Sequence, residues 1–338
     1  MRRRLSFLLL VLGLTGLAAI PGQAAPPHTG SAIPAHPQPA TPQPVAPQPA
    51  ALQPIAPQAS APQAAAPREG FIPAGRLRIH YLEEGRGPAL VFLHAGYQDA
   101  HMWREQQAHF AKNYRTIAID LPGQGATTGI DTSLLIEQVL RIALDSLHID
   151  KASVVGISVG ASCALDFALA YPGRVDKLVL VSAGLPGAPE AVPLDSLSKK
   201  LFEETDSVFQ TKDDTAIAAN FTRLWCDGPF RQPQKTRQAA RAYVLKTTLA
   251  QVIRNTTYWP RFNPNPAAKR LSSLQPPVLI IDAALDVPYI LAIGRYIHAH
   301  TSRSQLIIVP GVAHMVNLEQ PRRFDRLLTD FLTPSPRP

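Results

Sequence analysis

Between Ser153 and Tyr171 the chain changes character within a few residues. Ser153-Val154-Val155 runs as a strand would, Gly156-Ile157-Ser158-Val159-Gly160 follows, and a small-residue helical stretch comes directly after. A serine at the apex of so tight a turn takes backbone angles that side chains rarely adopt. Its neighbours two positions away must be nearly free of side chain. Gly156 and Gly160 meet that demand. The turn predicts a Ser158 hydroxyl exposed above the sheet, with the Val159 amide pointing into the same space. The spacing alone arises often by chance, so the rest of the chain decides what it means.

Short apolar runs alternate with helix-length segments from about Arg68 onward. Candidate strands are Leu77–Leu82, Ala89–His94, Thr116–Asp120, Ser153–Ile157, Lys177–Ser182, Val278–Ala283 and Gln305–Val309. Several are continuous Val/Ile/Leu runs, the pattern of parallel strands buried on both faces. Ala100–Lys112, Thr132–Leu147, Val159–Tyr171 and Ile290–Ala299 suit crossover helices. A last helix opens at Pro321 and carries Phe324, Leu327, Leu328 and Phe331 on one face. The fold class is therefore α/β, a doubly wound and mostly parallel sheet. From about Leu185 to Ser272 no strand-like run appears, only the helical patterns Leu197–Gln210, Asp214–Leu224 and Arg237–Arg254. So long an interval is an inserted helical cap, about 187–272, standing over the carboxyl ends of the strands.

The first quarter reads differently. Basic Met1–Arg4, apolar Leu5–Ile20 and small residues before Ala25 have the order of a secretory signal peptide, residues 1–25. The rival is an uncleaved membrane anchor, for which the run is somewhat short. Residues 26 to 67 hold no Asp, Glu, Lys or Arg and repeat Pro-Gln and Ala-Pro pairs, an extended linker up to about residue 68. The globular domain is then 69–338, exported to the periplasm or medium. The formal charge of +8 includes Arg2, Arg3 and Arg4, which leave with the signal. The other basic residues are scattered apart from Arg322, Arg323 and Arg326, a pattern that predicts no nucleic-acid partner. Cys163 and Cys226 are too few for a disulfide scaffold; a bond between them is permitted and not required.

A nucleophilic serine needs a base, an orienting acid and oxyanion donors, each at the carboxyl end of a strand. His314 follows the last strand across Pro310-Gly311-Val312-Ala313, and Asp286 follows Val278–Ala283 by a few residues. Asp282, inside that strand, is the competitor for the acid. Asp120 reads as a cap on nearby amides and His94 as structural. Asp99, His101 and His109 lack the spacing of a metal site, and no Gly-rich loop with a Lys is present for phosphate, so neither metal nor cofactor is expected. Trp225, Tyr258 and Trp259 in the cap read equally well as pocket lining and as cap core.

Four stretches together resemble the α/β-hydrolase superfamily over roughly residues 75 to 333: Leu93-His94-Ala95-Gly96, Asp120-Leu121-Pro122-Gly123-Gln124-Gly125, Gly156-Ile157-Ser158-Val159-Gly160, and Pro310-Gly311-Val312-Ala313-His314. The resemblance implies Ser158 as nucleophile, His314 as base and Asp286 as acid, with the backbone amides of Gly96 and Val159 as the oxyanion hole. Leu285-Asp286-Val287-Pro288 and Asn317-Leu318-Glu319-Gln320-Pro321 look like the small cofactor-free bacterial esterases and enol-lactonases. Ser158 argues against the branches whose nucleophile is an Asp. Ala95 departs from the usual glycine, and Val159 from longer flexible residues; neither removes a catalytic group.

The leading expectation is a serine hydrolase of a small ester, lactone or thioester. Acyl transfer or C–C cleavage on the same three residues is the first alternative. A ligand-binding or signalling module with little turnover is the second, and an envelope role for the proline-rich segment the weakest. The acyl group, the leaving group and the oligomeric state are not legible in the sequence.

Overall fold

The computed structural model describes residues 68–254 and 261–333. The expected signal peptide and most of the linker, together with Tyr258 and Trp259, lie outside the described residues. Eight strands form one sheet: β1 (Arg68–Ala74), β2 (Leu77–Glu84), β3 (Ala89–Leu93), β4 (Arg115–Ile119), β5 (Ala152–Ile157), β6 (Val175–Val181), β7 (Val278–Ala283) and β8 (Ser304–Val309). Their spatial order is β1-β2-β4-β3-β5-β6-β7-β8. β2 pairs antiparallel with β1 and with β4, and all other neighbours are parallel.

The longer helices among the described residues are α1 (Arg104–Phe110), α2 (Ile136–Ser146), α3 (Val159–Ala170), the cap helices α4 (Ser196–Thr211), α5 (Asp214–Thr222) and α6 (Gln238–Arg254), then α7 (Pro288–Ala299) and α8 (Pro321–Leu332). Crossover helices join parallel strands because each must return to the same edge of the sheet. β5 and β7 are buried at every position, as continuous apolar runs predict for strands covered on both faces. α3 is buried from Gly160 to Ala168, and its run of small residues lets it press into the sheet. Trp103 anchors the other end of the core, stacked on Phe92 at 5.0 Å and tilted against Phe324 at 5.9 Å. α8 is amphipathic, with Phe324, Leu328 and Leu332 buried. Lys177 Nζ closes its carboxyl end by donating to the Phe331 and Leu332 carbonyls, where a cation also meets the negative end of the helix dipole.

The structure adds two features to the sequence reading and corrects one helix end. β1 forms a hairpin with β2, although Gly70 and Pro73 disguise it as a boundary; as the first strand of the sheet it tolerates a missing donor. β8 is an edge strand with Gln305 and Ile308 exposed, so its apolar run is not covered on both faces. The helical pattern ending at Leu224 breaks after Thr222 into a π turn, Arg223–Asp227. Cys163 and Cys226 are free and buried.

Candidate active site

The sheet reverses direction at β3, which lies between β4 and β5. In such sheets the crevice outside the carboxyl ends of the strands at the reversal is where ligands bind. The segments leaving β3 and β5 there are His94–Gly96 and Ser158–Val159.

Ser158 sits at φ 57° and ψ −119°, between the end of β5 and the start of α3. Its N–H donates to Val181 O at 2.9 Å, and its carbonyl accepts from the amides of Ala161, Ser162 and Gly184 at 3.0–3.1 Å. Four backbone bonds hold the unusual angles. The flanking glycines are required by space: a Cβ on Gly156 would lie 2.5 Å from the Gly160 carbonyl carbon, and one on Gly160 would lie 2.7 Å from His94 O. The same close approach brings the Val159–Gly160 backbone against the end of β3. Val159 is the first residue of α3, so its amide has no carbonyl one turn back to bond. Among the described residues the Gly96 amide likewise donates to no partner. Ser158, Val159, Gly96 and Tyr97 are half-buried, while Ala95 and Gly160 beside them are buried.

His314 and Asp286 are brought together. His314 Nδ1 lies 2.7 Å from Asp286 Oδ2, with both side chains buried. The other carboxylate oxygen accepts from the Val287 amide at 2.8 Å. An ionised carboxylate can only accept, so this bond asks for the ring proton on Nδ1 and leaves Nε2 as the nitrogen with an open lone pair. The two loops are laced by backbone bonds, Ala284 N to Val309 O at 2.9 Å and Leu285 N to Val312 O at 3.0 Å. Asp282 is not the partner of His314. Both its oxygens are buried among the described residues without a hydrogen bond, and burial, then the charge of Asp286, pushes its carboxyl well above the usual range.

Asp120 caps amides, as its turn predicts: Oδ1 accepts from Ala100 N at 2.6 Å, and Oδ2 from Ala126 N and His80 Nδ1 at 2.7 Å. His94 is held from both sides, with Nδ1 facing the Ala95 carbonyl at 2.7 Å and Nε2 accepting from Leu121 N at 2.9 Å. Among the described residues no group of three or more His, Cys, Asp and Glu is placed to hold a metal, and no helix is long and apolar enough to cross a membrane.

Sequence reasoning missed how the cap meets these loops. Tyr97, at φ 58°, packs its ring on Phe221 and Phe209 of the cap. Gln98 Nε2 donates to Thr248 Oγ1 at 3.0 Å, and Tyr243 OH to Asp99 Oδ1 at 2.6 Å. Trp225, in the π turn, lies with its ring centroid 4.5 Å from that of His314 while also touching Phe202 and Phe221. Its ring is buried in the cap core and also meets the His314 ring. Arg231 and Glu319 tie the same turn to the His314 loop. Nothing in the sequence marks Arg231 apart from other cap arginines; Glu319 stands in the stretch that carried the resemblance to the esterase branch.

The chain is 28% identical over 267 residues to a 2-hydroxy-6-oxononadienedioate/2-hydroxy-6-oxononatrienedioate hydrolase of Paraburkholderia phymatum, covering 76% of this chain and 91% of the relative. It is 26% identical over 275 residues to a 2-hydroxy-6-oxo-6-phenylhexa-2,4-dienoate hydrolase of Burkholderia cepacia, covering 75% and 91%. Among solved structures, an N-acyl homoserine lactone degrading enzyme aligns with a TM-score of 0.64 at 24% identity, over 78% of this chain and all of the other. An esterase from a Rhodococcus species aligns at 0.63 and 21%, over 79% and 98%. The family model of the alpha/beta hydrolase fold matches residues 88–321. By fold and by that match, the chain belongs to the α/β-hydrolase family.

Proposed function

We propose that the protein is a serine hydrolase that cleaves a small ester, lactone or thioester through an acyl-enzyme. The observation that carries this reading is the 2.7 Å bond from His314 Nδ1 to Asp286, which keeps Nε2 basic at the same sheet edge as the strained Ser158. In the proposed cycle Ser158 Oγ attacks the substrate carbonyl as His314 Nε2 takes its proton. The Gly96 and Val159 amides hold the oxyanion, and the Asp286 carboxylate stabilises the imidazolium. The tetrahedral intermediate collapses, and the leaving oxygen or sulfur departs with the proton from His314. Water then enters by the same route in reverse roles, giving its proton to His314 and its oxygen to the acyl group, and Ser158 regains its hydrogen.

Ser158→Ala tests the reading. The variant is expected to fold and to have no activity above background on p-nitrophenyl acetate, since loss of such a nucleophile costs on the order of 10⁶ in kcat. Unchanged turnover would remove the mechanism. Labelling of Ser158 by a fluorophosphonate, together with many turnovers per enzyme, separates an enzyme from a ligand-binding module that merely keeps the three residues.

A second chemistry is favoured by one observation. The curated relatives are named for 2-hydroxy-6-oxo dienoate substrates, which carry a ketone and no ester, so hydrolysis there breaks a C–C bond. A panel of esters and lactones beside one such ketone decides between them. We also propose export, supported by the charge order of residues 1–25; amino-terminal sequencing of the periplasmic fraction that finds Met1 retained would count against it.

A further inference from the structure

Arg231 is a buried cap arginine with 8% of its surface exposed. Its donors divide between two segments. Toward the cap, Nε donates to Asp227 O and Nη2 to Cys226 O, both at 2.9 Å. Toward the core, Nη1 donates to Gly311 O at 2.9 Å, and Nη2 lies 2.6 Å from Glu319 Oε2. Glu319 passes the connection on, because its Oε1 accepts from the Ala313 amide at 2.8 Å. The cap segment is the π turn that carries Trp225, and the core segment is the loop that carries His314. Those two rings are in contact, centroids 4.5 Å apart.

The backbone is shaped for the same approach. Gly228 ends the π turn at φ 81°, and a Cβ there would lie 2.5 Å from Leu285 O and 2.9 Å from Ala313 Cβ. The cap chain thus touches the residues immediately before Asp286 and His314. Asp227, buried in that turn, is held by Thr236 Oγ1 at 2.9 Å and by Arg241 Nε at 3.1 Å, so its own charge is met without Arg231. A guanidinium suits this junction, since its planar fork directs several donors at once, whereas an ammonium offers one compact charge.

We propose that Arg231 is a positioning residue: it joins the cap's π turn to the His314 loop and so sets the contact between Trp225 and the His314 ring. The proposal deepens the serine-hydrolase reading, in which His314 is the base, and its consequence is that cap and base move as one unit. An Arg231 that served stability alone would leave the ring contact and the base unchanged when replaced.

The test uses tryptophan emission. A protonated imidazole quenches an indole it touches, so the emission of the full-length protein should fall in a single step as His314 gains its proton. Trp225→Phe and His314→Gln identify that step by removing it. The titration is run on Ser158→Ala protein, so it needs no catalysis and stands apart from the failure or success of the hydrolase reading. Arg231→Lys, which keeps a charge for Glu319, is expected to lose most of the step while retaining its far-ultraviolet spectrum. In the protein with Ser158 intact, Arg231→Lys is expected to lower kcat by about 10²-fold, the usual cost of a small misplacement, with KM within a few-fold. Glu319→Gln, which keeps an acceptor for Ala313, provides the second variant should Arg231→Lys fail to fold, and should reduce the step in the same direction. A quenching step and a kcat pH profile identical to those of the parent in a folded variant, with only a lower melting temperature, overturn the proposal.

Discussion

Gly160 and His94 meet at the joint between α3 and the end of β3, where an added methyl on Gly160 would lie 2.7 Å from the His94 carbonyl oxygen and closer still to that of Leu93. Both obstacles are backbone, so no side chain can swing aside. Gly160→Ala must part the start of α3 from β3, and with it the Val159 amide from Gly96. Overpacking of this kind costs about 1–3 kcal/mol, occasionally more. The variant should show that loss by chemical denaturation together with a fall in turnover of p-nitrophenyl acetate, if the proposed hydrolysis holds, larger than the stability loss explains. Gly173→Ala, with nothing within 4 Å of the new methyl, is the matched control and should change neither.

Asp286→Asn leaves the shape of the acid almost intact and removes its obligation to accept. An amide can offer N–H to Nδ1, which moves the ring proton to Nε2 and leaves no base. The expected loss in kcat is about 10⁴-fold with KM little altered. Steady-state kinetics on p-nitrophenyl acetate check this. A loss within tenfold would mean that the 2.7 Å bond between His314 and Asp286 is not what orients the ring.

Two kinds of information in the chain differ in how far along it they reach. The parallel core strands were legible because β5 and β7, covered on both faces, need apolar side chains at every position, and no solvated segment carries that pattern. The Ser158 turn was legible because two backbone contacts exclude any side chain at Gly156 and Gly160. Asp286 could be ranked above Asp282 because one follows the strand and the other points from within it. The hairpin of β1 was hidden: its charged first residues, Gly70 and Pro73 carry weak strand propensity, and its identity comes from pairing with Leu77–Glu84. The cap contacts were hidden for a further reason. Arg231, Trp225 and Gly228 matter through tertiary partners more than fifty residues away, and no local period encodes those distances.

Ser158 is held at φ 57° and ψ −119°, a region open to glycine and strained for any other residue. Ser158→Ala keeps the strain, whereas Ser158→Gly releases it. The glycine variant should exceed the alanine variant in stability by about 1 kcal/mol, or roughly 2–4 °C in Tm for a domain of this size. Both should be inactive. Differential scanning calorimetry of the pair isolates the backbone cost, because neither retains the hydroxyl. Equal melting temperatures would show that the turn at residue 158 stores no strain.

Asp282 has both oxygens buried without a partner among the described residues, against Gly294, whose missing side chain leaves it room. Burial first, then the charge of Asp286, raises its carboxyl well above the usual value, with Arg295 acting weakly the other way. Below the ordinary carboxylate range the group is protonated folded and unfolded, and it contributes nothing to pH dependence. Above that range the unfolded chain releases the proton while the folded chain keeps it, so folding becomes less favourable as pH rises, by about 1.4 kcal/mol per pH unit, until the folded group itself ionises. Asp282→Asn cannot ionise in either state and keeps nearly the same volume. Its stability relative to the parent should therefore be close to equal at the acid side of the ordinary carboxylate range and should grow in its favour as pH rises above it. Urea unfolding at a series of pH values measures the difference directly. A gap that stays constant across that range, or that narrows with rising pH, would mean that Asp282 is already charged in the folded protein.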